Sequence, residues 1–145
     1  FVKQADEVWH VGDIGDLNVT DTIKKLKPLR AVFGNIDDQD ARAEFPLDLK
    51  FEVEKVTVWM THIGGYPNNY YRRIRDEIKE NPPQIFISGH SHILKVQYDK
   101  KLKLLHLNPG AAGNHGFHKI RTMLRFNLEN KEIKNLEIIE LATRG

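Results

Sequence analysis

The chain contains no cysteine, which excludes disulfides, thiolate zinc sites and a cysteine nucleophile. No apolar run approaches the roughly 20 residues that a membrane span needs, and no secretory signal pattern is visible. Charge of either sign is not in excess: 22 Lys and Arg stand against 20 Asp and Glu, for a formal net charge of +2. That balance gives no electrostatic footprint for extended nucleic acid or an anionic membrane. There is no Gly-x-x-x-x-Gly-Lys phosphate loop, no serine with triad partners and no general-base carboxylate pair. The glycine turn at 12–15 is too short for a dinucleotide fingerprint. These absences leave a cytoplasmic location as the expectation. The sequence also starts at Phe1 without a methionine, a few residues before its first apolar strand, and is read as a chain entered part-way through.

What is present is enough for one domain with a core: 145 residues, 40% hydrophobic and 29% charged. Short apolar runs bounded by turn residues predict strands at 7–11, 29–33, 50–53, 56–60, 84–87, 93–98, 102–107, 122–128 and 132–141. Glu54-Lys55, Asp99-Lys100-Lys101 and Glu129-Asn130-Lys131 read as hairpin turns. A short helix is predicted over 22–27, capped by Thr20 or Asp21, stopped by Pro28 and placing Leu26 in the core. A longer one is predicted over 70–79, capped by Asn68 or Asn69, with Tyr70, Ile74 and Ile78 on one stripe. Arg72, Arg73, Arg75 and Lys79 read as its solvated face. Asp16 reads as a cap or turn former. The segment before Pro46 is turn-forming and acidic, and a glycine-rich loop occupies 108–116. Strands and helices alternating in this way predict an α/β domain.

One feature recurs. Strand after strand ends in a metal-competent side chain beside glycine: Asp13 after Gly12, Asn35 after Gly34, His62 shortly before Gly64, and His90 and His92 after Gly89. In α/β sheets, sites are built at the carboxyl ends of strands. Imidazoles and an aspartate suit Zn²⁺, Mn²⁺ or Fe, an aspartate can bridge two ions, and an asparagine amide oxygen is a hard neutral ligand. A two-metal hydrolytic centre is the chemistry best matched to these residue types.

Taken in order, Gly12-Asp13, Gly34-Asn35-Ile36-Asp37, Thr61-His62 and Gly89-His90-Ser91-His92 resemble the motifs of the calcineurin-like metallophosphoesterases. The resemblance is nearest to their small single-domain phosphodiesterases, in which Asn-Pro-Gly follows the last motif, as Asn108-Pro109-Gly110 does here. It implies a single domain over 1–145, built as a four-layer α/β/β/α sandwich of two mixed β-sheets flanked by helices, with a binuclear metal centre at one end. It further implies that Asp13 bridges the ions, that Asn35, His62 and His90 hold the second metal, and that His92 holds the first. Asn35 thereby also counts among the catalytic residues. Asp37, two positions after a ligand, is expected to act from outside the metal's own shell.

The resemblance implies two divalent ions, Mn²⁺ foremost, with Zn²⁺, Fe or Ni²⁺ as the others that fit. It implies a metal-bridging hydroxide attacking phosphorus in line, and a small phosphodiester rather than a monoester as substrate. Many relatives carry a proton-donating histidine where Ile36 stands, so His118 or His115 is the candidate donor here. The family's leading Asp-x-His motif does not precede Asp13, and the chain is expected to lack the first strand and most of the first helix. The alternative expectation is a non-catalytic scaffold on the same fold, as in the retromer coat. A homodimer through an exposed strand edge is also compatible with the pattern.

Overall fold

The computed structural model describes residues 1–143. In chain order these form a 3₁₀ turn (Val2–Gln4), β1 (Val8–His10), α1 (Leu17–Leu26), β2 (Leu29–Ala31), α2 (Gln39–Glu44), β3 (Asp48–Val53) and β4 (Val56–Thr61). There follow β5 (Gly65–Tyr66), β6 (Asn69–Tyr70), α3 (Arg75–Glu80), β7 (Ile85–Ile87), β8 (Lys95–Asp99), β9 (Leu104–Asn108), β10 (Ile120–Glu129) and β11 (Glu132–Thr143). Five strands make one mixed sheet in the order β3-β4-β7-β9-β8. Within it β4, β7 and β9 run parallel, while β3 and β8 close the edges antiparallel. β1 and β2 pair in parallel, and β10 and β11 form a long antiparallel hairpin.

Side-chain alternation along β4 divides the molecule into layers. Val56, Val58 and Met60 face inward, where Ile85, Ile87, Leu107, Val11 and Val32 complete the main core. Trp9 of β1 and Leu124, Phe126 and Leu128 of β10 pack onto the same core, so β1–β2 and β10–β11 cover one face of the five-stranded sheet. Trp59, Phe86 and Leu104 point the other way and meet Tyr70, Ile74 and Ile78 beneath α3. A third cluster, Ile14, Ala31 and Phe45 with Leu17 and Leu29, seals the outer side of β1–β2 against α1. Helix, strand layer, sheet and helix thus follow in turn, as the α/β/β/α expectation requires.

The hairpin turns follow the sequence signals. Glu54 and Lys55 have φ of 50° and 63°, and Asn130 and Lys131 of 47° and 70°, the left-handed pair that a two-residue hairpin needs. Three local predictions are corrected. α1 starts at Leu17 because Asp16, not Thr20 or Asp21, caps it, accepting the Asn18 N–H at 2.8 Å. Leu26 is 44% exposed and lies outside the core. The 70–79 helix shrinks to α3 because Tyr70 pairs with Gly65 in the small β5–β6 hairpin, although the Tyr70, Ile74 and Ile78 stripe is buried as its spacing predicts. α2 is an additional helix in the acidic segment, capped by Asp38 accepting from the Ala41 N–H.

Candidate metal centre

The carboxyl ends of β1, β2, β4 and β7 lead directly into the loops that carry Asp13, Asn35, His62 and His90. These four side chains converge. His62 Nε2 is 3.2 Å from Asp13 Oδ2 and 3.0 Å from Asn35 Oδ1. His90 Nδ1 is 3.1 Å from the same Asn35 oxygen. Donor atoms of Asp13, His62 and His90 all lie within 4.8 Å of one another. His62 is buried at the base and His90 and Asn35 are exposed at the mouth, so the cluster has a closed and an open side.

Close backbone approach makes this meeting feasible. A Cβ on Gly12 would lie 2.7 Å from His62 Nδ1 and 2.9 Å from the Gly34 nitrogen, closer than carbon can come. A Cβ on Gly34 would collide with Asp13 itself. Three of the candidate residues are also held in an unusual backbone conformation: φ is 55° at Asp13, 67° at His90 and 62° at His92. Left-handed backbone at a non-glycine residue is costly and gathers at functional sites.

The donor chemistry fits a cation. His62 donates Nδ1–H to the Val11 carbonyl at 2.7 Å, so in the neutral ring Nε2 is a lone pair. That lone pair faces a carboxylate oxygen and an amide oxygen, both acceptors. Two oxygens at 3.2 and 3.0 Å from one lone pair repel it unless a positive charge lies among them. The Val11 carbonyl is the kind of partner that orients a metal-binding imidazole. Burial would raise the pKa of Asp13, but the Ile36 N–H and, when the ring carries a second proton on Nε2, the hydrogen bond and charge of His62 outweigh it and hold the carboxyl below its usual range, the proton then standing where a cation otherwise would. Burial, and then the neighbouring His118, lower the pKa of His92, which keeps that ring a neutral, ligand-competent imidazole.

The other predicted residues are placed differently. Asp37 is buried, and its oxygens accept the backbone N–H groups of Ile14 at 3.1 Å, Gly15 at 2.9 Å and Gly34 at 2.7 Å. It ties the Asp13 loop to the Asn35 loop through these three backbone bonds. His92 stands edge-on to His118, ring centroids 5.2 Å apart. His118 donates Nε2–H to the Gly113 carbonyl at 2.7 Å, leaving Nδ1 buried without a partner. His115 is exposed.

Two further residues support the site: His10, which the sequence reading passed over, and Asn108, which it noted only as the first residue of Asn108-Pro109-Gly110. His10, at the end of β1, has its pKa lowered chiefly by burial against the pull of Asp37, and its Nδ1 accepts the Gly12 N–H at 3.2 Å. Its position two residues before Gly12 was the available signal. Asn108, fully buried, donates to the Gly89 carbonyl at 3.1 Å and to Ser91 Oγ at 3.2 Å, and so braces the His90–His92 loop from β9.

A model of the calcineurin-like phosphoesterase superfamily domain matches residues 1–131. A probable metallophosphoesterase of Methanothermobacter thermautotrophicus is 28% identical over 109 residues, which are 75% of this chain. The chain spans only 62% of that relative's own length. An archaeal phosphodiesterase superposes with a TM-score of 0.73 at 23% identity, covering 95% of this chain and 84% of that one. The zinc complex of Vps29 from Entamoeba histolytica superposes with a TM-score of 0.71 at 14% identity, covering 94% and 82%. At such identities these two structures share the fold.

Proposed function

The chain belongs to the calcineurin-like phosphoesterase superfamily, and on that premise we propose that it is a metal-dependent phosphodiesterase with a binuclear centre. The observation that carries the reading is the convergence of Asp13, Asn35, His62 and His90, with acceptor set against acceptor. On this reading Asp13, Asn35, His62, His90 and His92 would hold two divalent ions, with Mn²⁺ the first expectation and Asp13 the residue shared between them. Such ions supply an activated water and neutralise the oxygens of the phosphoryl group.

The remaining steps fall to the chain's own groups. The Val11 carbonyl and Asp37 hold the ligand loops in register. The exposed Asn35 and His90 present the open side to a phosphoryl group. His118, its ring fixed by the Gly113 carbonyl and its Nδ1 without a partner, is the proposed proton donor to the departing oxygen, a role that requires the doubly protonated ring in which Nδ1 also carries a hydrogen. A small diester suits a site on a nearly neutral chain. No helix among the described residues is long and apolar enough to cross a membrane, and a cytoplasmic site of action is part of this proposal.

The test is hydrolysis of bis-p-nitrophenyl phosphate with Mn²⁺. Turnover abolished by chelator and restored by Mn²⁺ is the expected result. No turnover, with no metal bound at equilibrium, favours the scaffold reading.

A further inference from the structure

A cleft of about 350 Å³ opens beside His90, between the β5–β6 hairpin and the Gly89–His92 loop. Its lining includes Tyr66, Asn69, Tyr71, Arg72, His90 and Ser91. No carboxylate lines it, and Lys95 lies 4.7 Å from the Tyr66 ring, so the cleft favours anions. It shares His90 with the metal cluster, and a molecule seated there reaches the reacting centre.

The polar groups of the cleft divide into those already engaged and those not. Tyr66 is fixed, its ring stacked on His106 and its hydroxyl bonded to Ser91. Tyr70 gives its hydroxyl to Asp99. Of the three neighbouring arginines, Arg73 forks onto Asp48 and Thr61, and Arg75 donates to the Tyr70 carbonyl. Arg72 has no hydrogen bond or ion pair among the described residues. Tyr71 is 43% exposed, its backbone pinned by an N–H bond of 2.9 Å to the Gly64 carbonyl. A phenol ring on a fixed backbone and an uncommitted guanidinium therefore stand side by side in an anion-favouring cleft at the metal site. Arg72, Arg73, Arg75 and Lys79 are all exposed, as their spacing implies, but Arg73 and Arg75 are committed to partners and Arg72 is not.

We propose that this cleft receives the arm of the diester that does not depart, and that it selects a nucleotide-like arm, with a planar base against Tyr71 and a second phosphate on Arg72. The inference rests on the phosphodiesterase reading for its kinetics but not for its binding. An aromatic face accepts any base by stacking, and a guanidinium matches phosphate with paired donors. The volume is that of a small-ligand site.

Three p-nitrophenyl diesters separate the contributions: the methyl ester, the thymidine 5′-phosphate ester, and the latter carrying a 3′-phosphate. The expected kcat/KM rises in that order, by roughly ten-fold at each step, chiefly through KM. Tyr71→Ala is expected to erase the first gain and Arg72→Gln the second, with Arg72→Lys intermediate. Both residues are exposed, and an unchanged unfolding midpoint confirms that each variant folds. Equal kcat/KM for the three esters, or gains that survive in the variants, overturn the proposal. If none of the esters is hydrolysed with Mn²⁺, the phosphodiesterase reading fails by itself. Calorimetry with thymidine 3′,5′-bisphosphate then decides the cleft: binding that Arg72→Gln weakens about ten-fold upholds it, and absence of binding overturns it.

Discussion

Asp13 Oδ2 lies 3.2 Å from Nε2 of His62, a ring whose other nitrogen is already bonded to the Val11 carbonyl. The carboxylate is thus the one formal negative charge in a cluster otherwise made of neutral acceptors. Asp13→Asn keeps the shape and removes that charge. Metal affinity and diester hydrolysis are expected to fall by about two orders of magnitude or more, since loss even of groups behind the ligands costs up to about 100-fold. Metal content after gel filtration and turnover in excess Mn²⁺ measure both. Near-normal turnover would remove Asp13 from the site.

Asp37 makes a different prediction, because it serves backbone. Its carboxylate satisfies the N–H groups of Ile14, Gly15 and Gly34 inside the fold. Asp37→Ala leaves these donors unpaired and is expected to destabilise the protein by about 3 kcal/mol, given about 1–3 kcal/mol per buried unsatisfied group and some relief from water. Activity is expected to fall with it as the Asp13 and Asn35 loops separate. Urea unfolding and metal titration separate the two effects. A variant that unfolds like the parent would show that the three bonds contribute nothing.

On the far side of the five-stranded sheet, Tyr70 donates its hydroxyl to Asp99 at 2.6 Å in a buried setting. Asp99 also accepts from the Lys101 and Leu102 amides and so closes the β8–β9 turn. Burial raises the Asp99 pKa, but these bonds, Tyr70 first, outweigh it, and the folded value lies below the unfolded one. The unfolded chain therefore binds the proton first as pH falls. This stability is complete above the ordinary aspartate range and is lost as pH drops through it. Tyr70→Phe is expected to cost about 2 kcal/mol at pH 7 and to shrink the loss as pH falls through and below the ordinary aspartate range. An unchanged acid dependence in urea unfolding would detach Tyr70 from Asp99.

The candidate ligands were legible because each lies immediately after an apolar run and beside glycine, and strand ends are where an α/β sheet places chemistry. What the sequence concealed was set by contacts distant in the chain. Tyr70 carries good helical periodicity, yet its backbone pairs with Gly65, and a two-strand hairpin replaced the start of a helix. Leu26 has the spacing of a core residue, but α1 packs through Leu17 and the residues flanking β1–β2. Asp38 announced α2 with a proper cap, a signal masked by the other turn-forming residues around it. The role of Asn108 depends on Gly89 and Ser91 across the sheet, which no local pattern encodes.

His106 supplies the last prediction. It is fully buried on β9, stacked 5.4 Å from the Tyr66 ring and edge-on to Phe86, with Nδ1 unpartnered. Its Nε2 has only long contacts of 3.4 Å to Ser88 Oγ and the Gly65 carbonyl. Burial first, and then the charge of Lys95, push its pKa down to about 4 against the partial pull of Asp99. The free imidazole titrates near 6.5, so between these values the unfolded chain holds a proton that the folded chain refuses. Its contribution is whole above about pH 6.5 and falls away as pH descends towards 4, by about 3 kcal/mol over the window. His106→Phe keeps a ring against Tyr66 and Phe86 but cannot take up the proton. It is expected to flatten the decline in unfolding free energy between pH 7 and pH 4.5 while changing stability little at pH 7. A variant that declines as steeply as the parent would assign the acid sensitivity to other groups.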